Sequence, residues 1–386
     1  MNKIKNKKIV IYMIALCVFG LVMIYSASYY SAGLKYDDSF YFVKKQLLGF
    51  VIGFILFCIA SRFDYHKFYK LRWWIVGLSI MLLGLVFVPG VGISSNGARR
   101  WVGVGALTIQ SSEVAKFGFV IFASCYMSKN YKNMKTFWGV VPVIAVGGII
   151  CLLILLEPNL SVTLCVGMVL LCMLFVGGIR WKHFLIILIP ALLLVPVLII
   201  IEPYRLQRLM AFLNPWANPK EEGFQLIQSL YSLGSGGLFG VGLFNSRQKY
   251  LFLPFSESDF IFSIIGEELG FVGCVVLCIV YILLIWEGIK IAYRSKDRLG
   301  SYLASGITAL IAAQLLINIA VVTGSIPPTG IPLPFISAGG TSLMVFMGAI
   351  GVLMNIANNE RLKFQIKGNV FKNIRLSKNK VKRALN

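Results

Sequence analysis

Histidine is almost missing from this 386-residue chain, which has only His66 and His183, and acids are scarce, with 15 Asp and Glu against 37 Lys and Arg. So few histidines leave a His-ligated metal centre or a His-based nucleophilic triad almost without candidates. Charged residues of both signs make up only 13% of the chain, whereas hydrophobic residues make up 58% and the mean hydropathy is +0.81. That composition belongs to an integral membrane protein. The eight cysteines, Cys17, Cys58, Cys125, Cys151, Cys165, Cys172, Cys274 and Cys278, all fall inside predicted helices and read as small core hydrophobes. Apolar runs long enough to cross a hydrocarbon core of roughly 30 Å leave no room for a soluble catalytic domain. Any active site must come from loops and helix ends.

Windows of about twenty residues place spanning helices near 9–31, 46–62, 73–92, 111–128, 137–156, 160–178, 183–201, 259–287, 301–323 and 341–357. The first run is too long for a signal-peptide core and reads as a retained helix. Only Glu157-Pro158-Asn159 separates the fifth run from the sixth, and proline beside a charge argues for a tight turn there. The expected architecture is an all-α polytopic membrane protein of about ten helices. Residues 1–358 form one membrane domain with a large loop at about 202–258, and residues 359–386 form a basic tail, a solvated arm near the lipid surface.

Lysine and arginine fall unevenly on the two sides of this topology. All but eleven of the 37 basic residues lie on the side holding both termini, which the positive-inside rule makes cytoplasmic. The net charge of +22 is then explained by topology and anionic headgroups, with no need for nucleic acid as a partner. The eleven exceptions are Lys35, Lys44, Lys45, Arg99, Arg100, Lys116, Arg205, Arg208, Lys220, Arg247 and Lys249. Several cluster in the loops after the third and seventh helices. Such clusters suit a phosphate or pyrophosphate ligand, although anchoring to lipid phosphates accounts equally well for any single one.

Acid–base chemistry outside the membrane has to fall to carboxylates, and four groups stand near the outer half of the bilayer: Glu113, Glu157, Asp259 with Glu257, and Glu267-Glu268. Glu113 and Lys116, three apart on one helix, can neutralise each other or meet a ligand. Glu267 and Glu268 read first as buried hydrogen-bonding groups that hold helices together. Asp259 precedes the apolar run Phe260-Ile261-Phe262, so its simplest role is an N-cap. A helix dipole favours the ionised carboxylate there, and partial burial has to push the pKa back up if the group is to serve as a base. The proline- and glycine-rich stretch 324–340 reads as a rigid re-entrant turn covering the site.

These residues carry a resemblance over nearly the whole chain. The blocks are Asn96-Gly97-Ala98-Arg99-Arg100-Trp101, residues 110–116, Phe212-Leu213-Asn214-Pro215-Trp216, Gly234-Ser235-Gly236-Gly237 and Ser246-Arg247-Gln248-Lys249. They continue with Asp259-Phe260-Ile261-Phe262, Glu267-Glu268-Leu269-Gly270 and Gly330-Ile331-Pro332-Leu333-Pro334-Phe335-Ile336-Ser337. The chain resembles the SEDS family (shape, elongation, division and sporulation) of FtsW, RodA and SpoVE, and by overall look its FtsW/SpoVE branch. The resemblance implies a peptidoglycan glycosyltransferase that polymerises lipid II at the outer face of the bacterial cytoplasmic membrane, with Asp259 as the catalytic residue. It supplies Arg99, Arg100, Trp101, Glu113, Lys116, Arg208, Arg247 and Lys249 as candidate substrate-binding residues. No cofactor is certain; a divalent cation, magnesium or manganese, on Asp259 or Glu113 is left open. Expected partners are a class B penicillin-binding protein that cross-links the strands, and divisome or elongasome proteins.

The chain departs from the family pattern in places. Where the family commonly has Pro-Glu-x-His-Thr-Asp, this sequence has Pro254-Phe255-Ser256-Glu257-Ser258-Asp259, so Glu257 takes the histidine position and can raise the pKa of Asp259 by like-charge repulsion. Asn159, Ser111 and Ala338 replace a usual Asp, Pro and Tyr. The alternative function is a flippase that moves lipid II without forming a bond; a scaffold role is weaker.

Overall fold

The computed structural model describes residues 7–95, 98–104, 107–221 and 223–359. The basic tail beyond them lies outside the described residues. In chain order the elements are α1 (Lys7–Tyr36), α2 (Tyr41–Arg62), α3 (Phe68–Leu85), β1 (Gly92–Ser95), β2 (Ala98–Val104), β3 (Leu107–Gln110), α4 (Ser111–Lys129), α5 (Phe137–Leu156), α6 (Leu160–Val176) and α7 (Trp181–Ile201). Then come α8 (Pro203–Leu213), α9 (Phe224–Gly236), α10 (Ile261–Arg294), α11 (Arg298–Val322) and α12 (Gly340–Asn359).

Each of the ten expected spans corresponds to a helix. Eight of the described helices are long and apolar enough to cross a membrane. The other two are α6, an apolar helix of only 17 residues, and α4, which carries Glu113 and Lys116 near its start. Side-chain caps mark several starts: Thr136 accepts from the Gly139 amide at 3.2 Å before α5, and Asn159 from the Val162 amide at 3.3 Å before α6. The 157–159 turn therefore separates two helices, as its proline predicts. Helices α4 and α11 lie at the centre and pack on each other. α7 has no buried residue.

Three features differ from the sequence expectation. The connection after α3 is a three-stranded antiparallel sheet, ordered β1-β2-β3, with Trp101 of β2 opposite Ile93 and Gln110. Its strands are too short to stand out as a periodic pattern. The large loop contains α8 and α9, short amphipathic helices that a twenty-residue apolar window passes over.

The third difference concerns the span expected at 259–287. α10 starts at Ile261, runs to Arg294, and is broken at Gly270, whose φ of 68° and ψ of −169° are available almost only to glycine. A break inside a buried helix frees backbone groups that need partners. The 237–242 segment supplies them: the amides of Val241 and Gly242 donate to the Glu267 and Glu268 carbonyls at 2.9 and 3.0 Å, and the amides of Phe271 and Val272 donate to Gly237 and Leu238 at 2.9 and 3.1 Å. Contact this close needs glycine on both sides. A Cβ on Gly270 would lie 2.3 Å from the Gly240 nitrogen, and one on Gly240 would lie 2.2 Å from the Glu268 carbonyl oxygen.

Candidate active site

Asp259 sits where the chain enters the short first segment of α10, and the 324–340 loop fastens it there. The Ser337 hydroxyl donates to the Ser258 carbonyl at 2.6 Å and accepts from the Leu333 amide at 2.7 Å. The Ala338 amide donates to the Glu257 carbonyl at 2.9 Å. From α11, the Asn318 amide group donates both to the Asp259 carbonyl at 2.8 Å and to the Ile331 carbonyl at 2.7 Å. Gly330 lies against the carboxylate itself, since a Cβ there would come within 3.2 Å of Oδ2. The loop also reaches deep into the bundle, where Phe335 and Ile336 are buried and the Tyr281 hydroxyl donates to the Pro334 carbonyl. A re-entrant cover is thus what the prolines build.

The capping role expected for Asp259 is not what the structure shows. The N-cap of α10 is Phe260, and no side chain caps that end. Among the described residues the Asp259 carboxylate receives only the Ser258 hydroxyl, at 3.4 Å, so the main chain is fixed while the side chain is left free to take a proton. Burial is the main influence on it, pushing the carboxyl up to about 6; Glu257 pushes the same way, while Ser258, Arg100 and Arg208 oppose. Burial also raises Glu257 above the usual carboxylate range.

The two opposing guanidinium groups come from different elements. Arg100 is half-buried on β2 and donates from Nε to the Glu157 carbonyl at 3.2 Å and from Nη2 to the Pro158 carbonyl. Burial lowers its pKa, yet guanidinium remains charged at any working pH. Arg208 is on α8, exposed, and reaches the Pro328 carbonyl at 3.4 Å, so it touches the same covering loop. Tyr204 of α8 also donates to Pro158, at 3.2 Å. Below these carbonyls, the Glu157 carboxyl is fully buried, accepts from Ser111 at 3.0 Å and is raised to about 8 by burial.

Glu113 and Lys116 form a buried ion pair at 2.7 Å, as their spacing allows. The Lys116 ammonium also meets Gln314 Oε1 at 2.7 Å, and Gln314 Nε2 donates to the Pro332 carbonyl at 3.0 Å. Gln314 and Asn318 are one turn apart on α11, so this pair and Asp259 are wired to the same loop. Among the described residues no group of three His, Cys, Asp or Glu side chains gathers to hold a metal ion, and Lys116 takes one carboxylate oxygen of Glu113.

The remaining expected substrate residues separate. Arg99 is exposed, Trp101 half-buried in the sheet and Arg247 exposed. Lys249, expected among the phosphate-binding cations, is instead sealed at 1% exposure, with its ammonium on Glu268 at 3.0 Å, the Phe244 carbonyl at 2.6 Å and Ser26 at 3.4 Å. Glu267 accepts from the hydroxyls of Ser232 and Ser246 and from the Arg247 amide at 2.9 Å. The paired acids therefore hold the 246–249 segment to the broken helix, which is the structural reading of Glu267-Glu268. The sequence reading gave no site role to Asn318, and it placed Glu157 among the outer acids and Gly330 and Ser337 in the covering turn without giving them a contact to Asp259. A signal existed for Asn318: it shares a face with Gln314 in an otherwise apolar span, where polar side chains are costly.

Residues 7–362 match the cell cycle protein family of FtsW, RodA and SpoVE. The chain is 43% identical over 355 residues to stage V sporulation protein E of Bacillus subtilis (strain 168), covering 92% of this chain and 97% of that one. It is 38% identical over 367 residues to the probable peptidoglycan glycosyltransferase FtsW of Geobacter sp. (strain M18), covering 94% and 99%. Among solved structures it resembles RodA, the rod shape determining protein of Thermus thermophilus, with a TM-score of 0.67 and 25% identity over 93% of this chain and 99% of that one. It also resembles a chain in a structure described as the structural coordination of polymerization and crosslinking by a peptidoglycan synthase complex, with a TM-score of 0.75 and 27% identity over 91% and 97%. Family match, full-length relatives and fold agree, and the chain belongs to the FtsW/RodA/SpoVE, or SEDS, family.

Proposed function

We propose that this protein is a peptidoglycan glycosyltransferase of cell-wall synthesis that polymerises lipid II into β-1,4-linked glycan at the outer face of the cytoplasmic membrane. Asp259 takes the proton from the 4-hydroxyl of the acceptor N-acetylglucosamine. The oxygen attacks the anomeric carbon of an N-acetylmuramyl unit linked to undecaprenyl pyrophosphate, the new C–O bond forms with inversion, and the pyrophosphate leaves with the electron pair of the broken bond. Charge grows on the leaving group in the transition state, so Arg100 and Arg208 stabilise that state more than the ground state.

One observation carries this reading: a carboxyl held by its main chain, free at its side chain, raised to about 6 and reached by two guanidinium fields. A base needs to be ionised yet still basic near neutral pH, and this balance of burial against positive charge supplies that. The names of the relatives support the reaction and a role in division or sporulation, in the FtsW/SpoVE branch. The peptidoglycan synthase complex that contains the similar chain supports a cross-linking partner of the class B penicillin-binding type.

Full-length protein reconstituted in liposomes with lipid II should form glycan strands. Asp259→Asn should lower the rate by about 100-fold or more, the usual scale of a lost general base. Since the base acts deprotonated, kcat/KM should climb with pH up to about 6 and then level off. Strand synthesis that survives Asp259→Asn sinks the assignment, and transbilayer movement of lipid II without strand formation favours a flippase.

A further inference from the structure

Gln46 is sealed inside the molecule at 3% exposure, in the second turn of α2, a helix whose other buried residues are Gly49, Gly53 and Phe57. An amide side chain buried in an apolar span is costly unless both of its ends are bonded. Both are. Nε2 donates to the Ser337 carbonyl at 3.1 Å, and Oε1 accepts from the Gly339 amide at 3.1 Å. The glycines that follow let α2 come this close: a Cβ on Gly49 would lie 3.0 Å from the Gly340 Cα, and one on Gly53 would lie 2.7 Å from the Met347 Sδ. In sequence Gln46 stands beside Lys44 and Lys45, where a polar residue reads as part of the charged flank of a span.

What Gln46 holds leads to the base. The Ser337 carbonyl and the Ala338 amide belong to one peptide unit, and a planar trans peptide points the two in opposite directions. On its far side that amide donates to the Glu257 carbonyl at 2.9 Å. Turning the plane away from Gln46 therefore also loses Glu257, and bonds linked in this way strengthen one another. The Ser337 hydroxyl, on the same short stretch, donates to the Ser258 carbonyl at 2.6 Å. With Asn318 on the Asp259 carbonyl at 2.8 Å, three successive carbonyls, those of Glu257, Ser258 and Asp259, each accept a hydrogen bond. Two of these bonds come from the stretch that Gln46 brackets. Earlier in the same loop, Gly330 lies on the carboxylate itself.

We propose that Gln46 is a positioning residue for the base. It sets the plane of the 337–338 peptide, which holds the main chain of Glu257 and Ser258 and so keeps the Asp259 carboxylate in place under the covering loop. This rests on the polymerase reading above and deepens it: α2, which brings no reacting group to the site, takes part in catalysis by fixing the geometry of the base.

The test is Gln46→Met, which keeps the length and fills the space but removes both hydrogen-bonding ends. In full-length protein reconstituted with lipid II, with rates taken per folded molecule, kcat should fall about tenfold or more while KM stays within about twofold. A loosened cover lets water reach Asp259. Because burial is what raises that carboxyl, the pH at which kcat/KM levels off should move below about 6. Hydrogen exchange at the Leu333 and Ala338 amides, which bond to Ser337 Oγ and to Glu257, should speed up by about tenfold or more. Adding Ser337→Ala should cost less than the product of the two single losses, since both changes act on one stretch. Gln46→Glu keeps the acceptor for Gly339 but, when ionised, has no donor for Ser337; it should show the same fall in kcat and replaces the methionine variant if that protein does not fold. A lowered Tm with kcat, pH profile and exchange at wild-type values leaves only a structural role and overturns the proposal, as does a raised KM with kcat unchanged. Exchange that rises as expected, in a protein whose wild type forms no glycan, keeps the clamp and overturns the polymerase.

Discussion

Glu157 shows how a single buried acid ties stability to pH in this protein. Its carboxyl has no exposure, one oxygen takes the Ser111 hydroxyl, and burial raises it from 4.5 to about 8. The folded state therefore holds a proton that the unfolded chain releases above pH 4.5. The stability that Glu157 contributes should be fully present below pH 4.5, be lost as pH rises, and level off above about 8, a change on the order of a few kcal/mol. Glu157→Gln keeps the hydrogen bond and removes the titration, so thermal unfolding in detergent should show a flatter pH dependence and a gain over wild type near pH 8. An identical pH slope in wild type and variant would sink this account. The acids themselves were legible in the sequence because so few exist, and Asp259 stood out by resemblance. Its free carboxylate was not legible, because residues near in sequence decide a cap whereas Asn318 and Ser337 decide this contact.

Elements explain why the glycine-rich blocks are where they are. Gly270 breaks α10, and the 237–242 segment docks onto the freed backbone through contacts that exclude any Cβ. Gly270→Ala should cost at least about 2 kcal/mol, from the strained φ together with the clash at Gly240, and size-exclusion profiles of solubilised protein should show a loss of folded chain. The neighbouring Lys249–Glu268 pair, 3.0 Å apart and shielded from solvent, makes a sharper test. Lys249→Met strands a buried carboxylate and should cost roughly 3–5 kcal/mol, while adding Glu268→Gln should recover much of it. Arg247→Ala, at an exposed side chain, should change stability by under about 0.5 kcal/mol. A Lys249→Met protein as stable as wild type but with weakened lipid II binding would return Lys249 to the substrate site. From sequence both basic residues look alike, since they are two apart and share one polar block; only burial separates them.

At the scale of the molecule, the charge asymmetry predicts an orientation with both termini inside and Asp259 outside. In a background without native cysteines, Arg247→Cys should react with a membrane-impermeant maleimide added outside whole cells, and Lys132→Cys only after permeabilisation. The reverse pattern would invert the topology and remove Asp259 from the outer face. Sequence alone determined the all-α membrane class, the ten helices and the turn at Glu157-Pro158-Asn159, because apolar length, basic flanks and proline act locally and survive any rearrangement of the helices. Tertiary structure alone decided which charges are neutralised and which stay available. The break at Gly270, the loop that fastens Asp259 and the Gln46 amide that grips that loop each join residues far apart in the chain. Their energies depend on burial and on partners that no local pattern encodes.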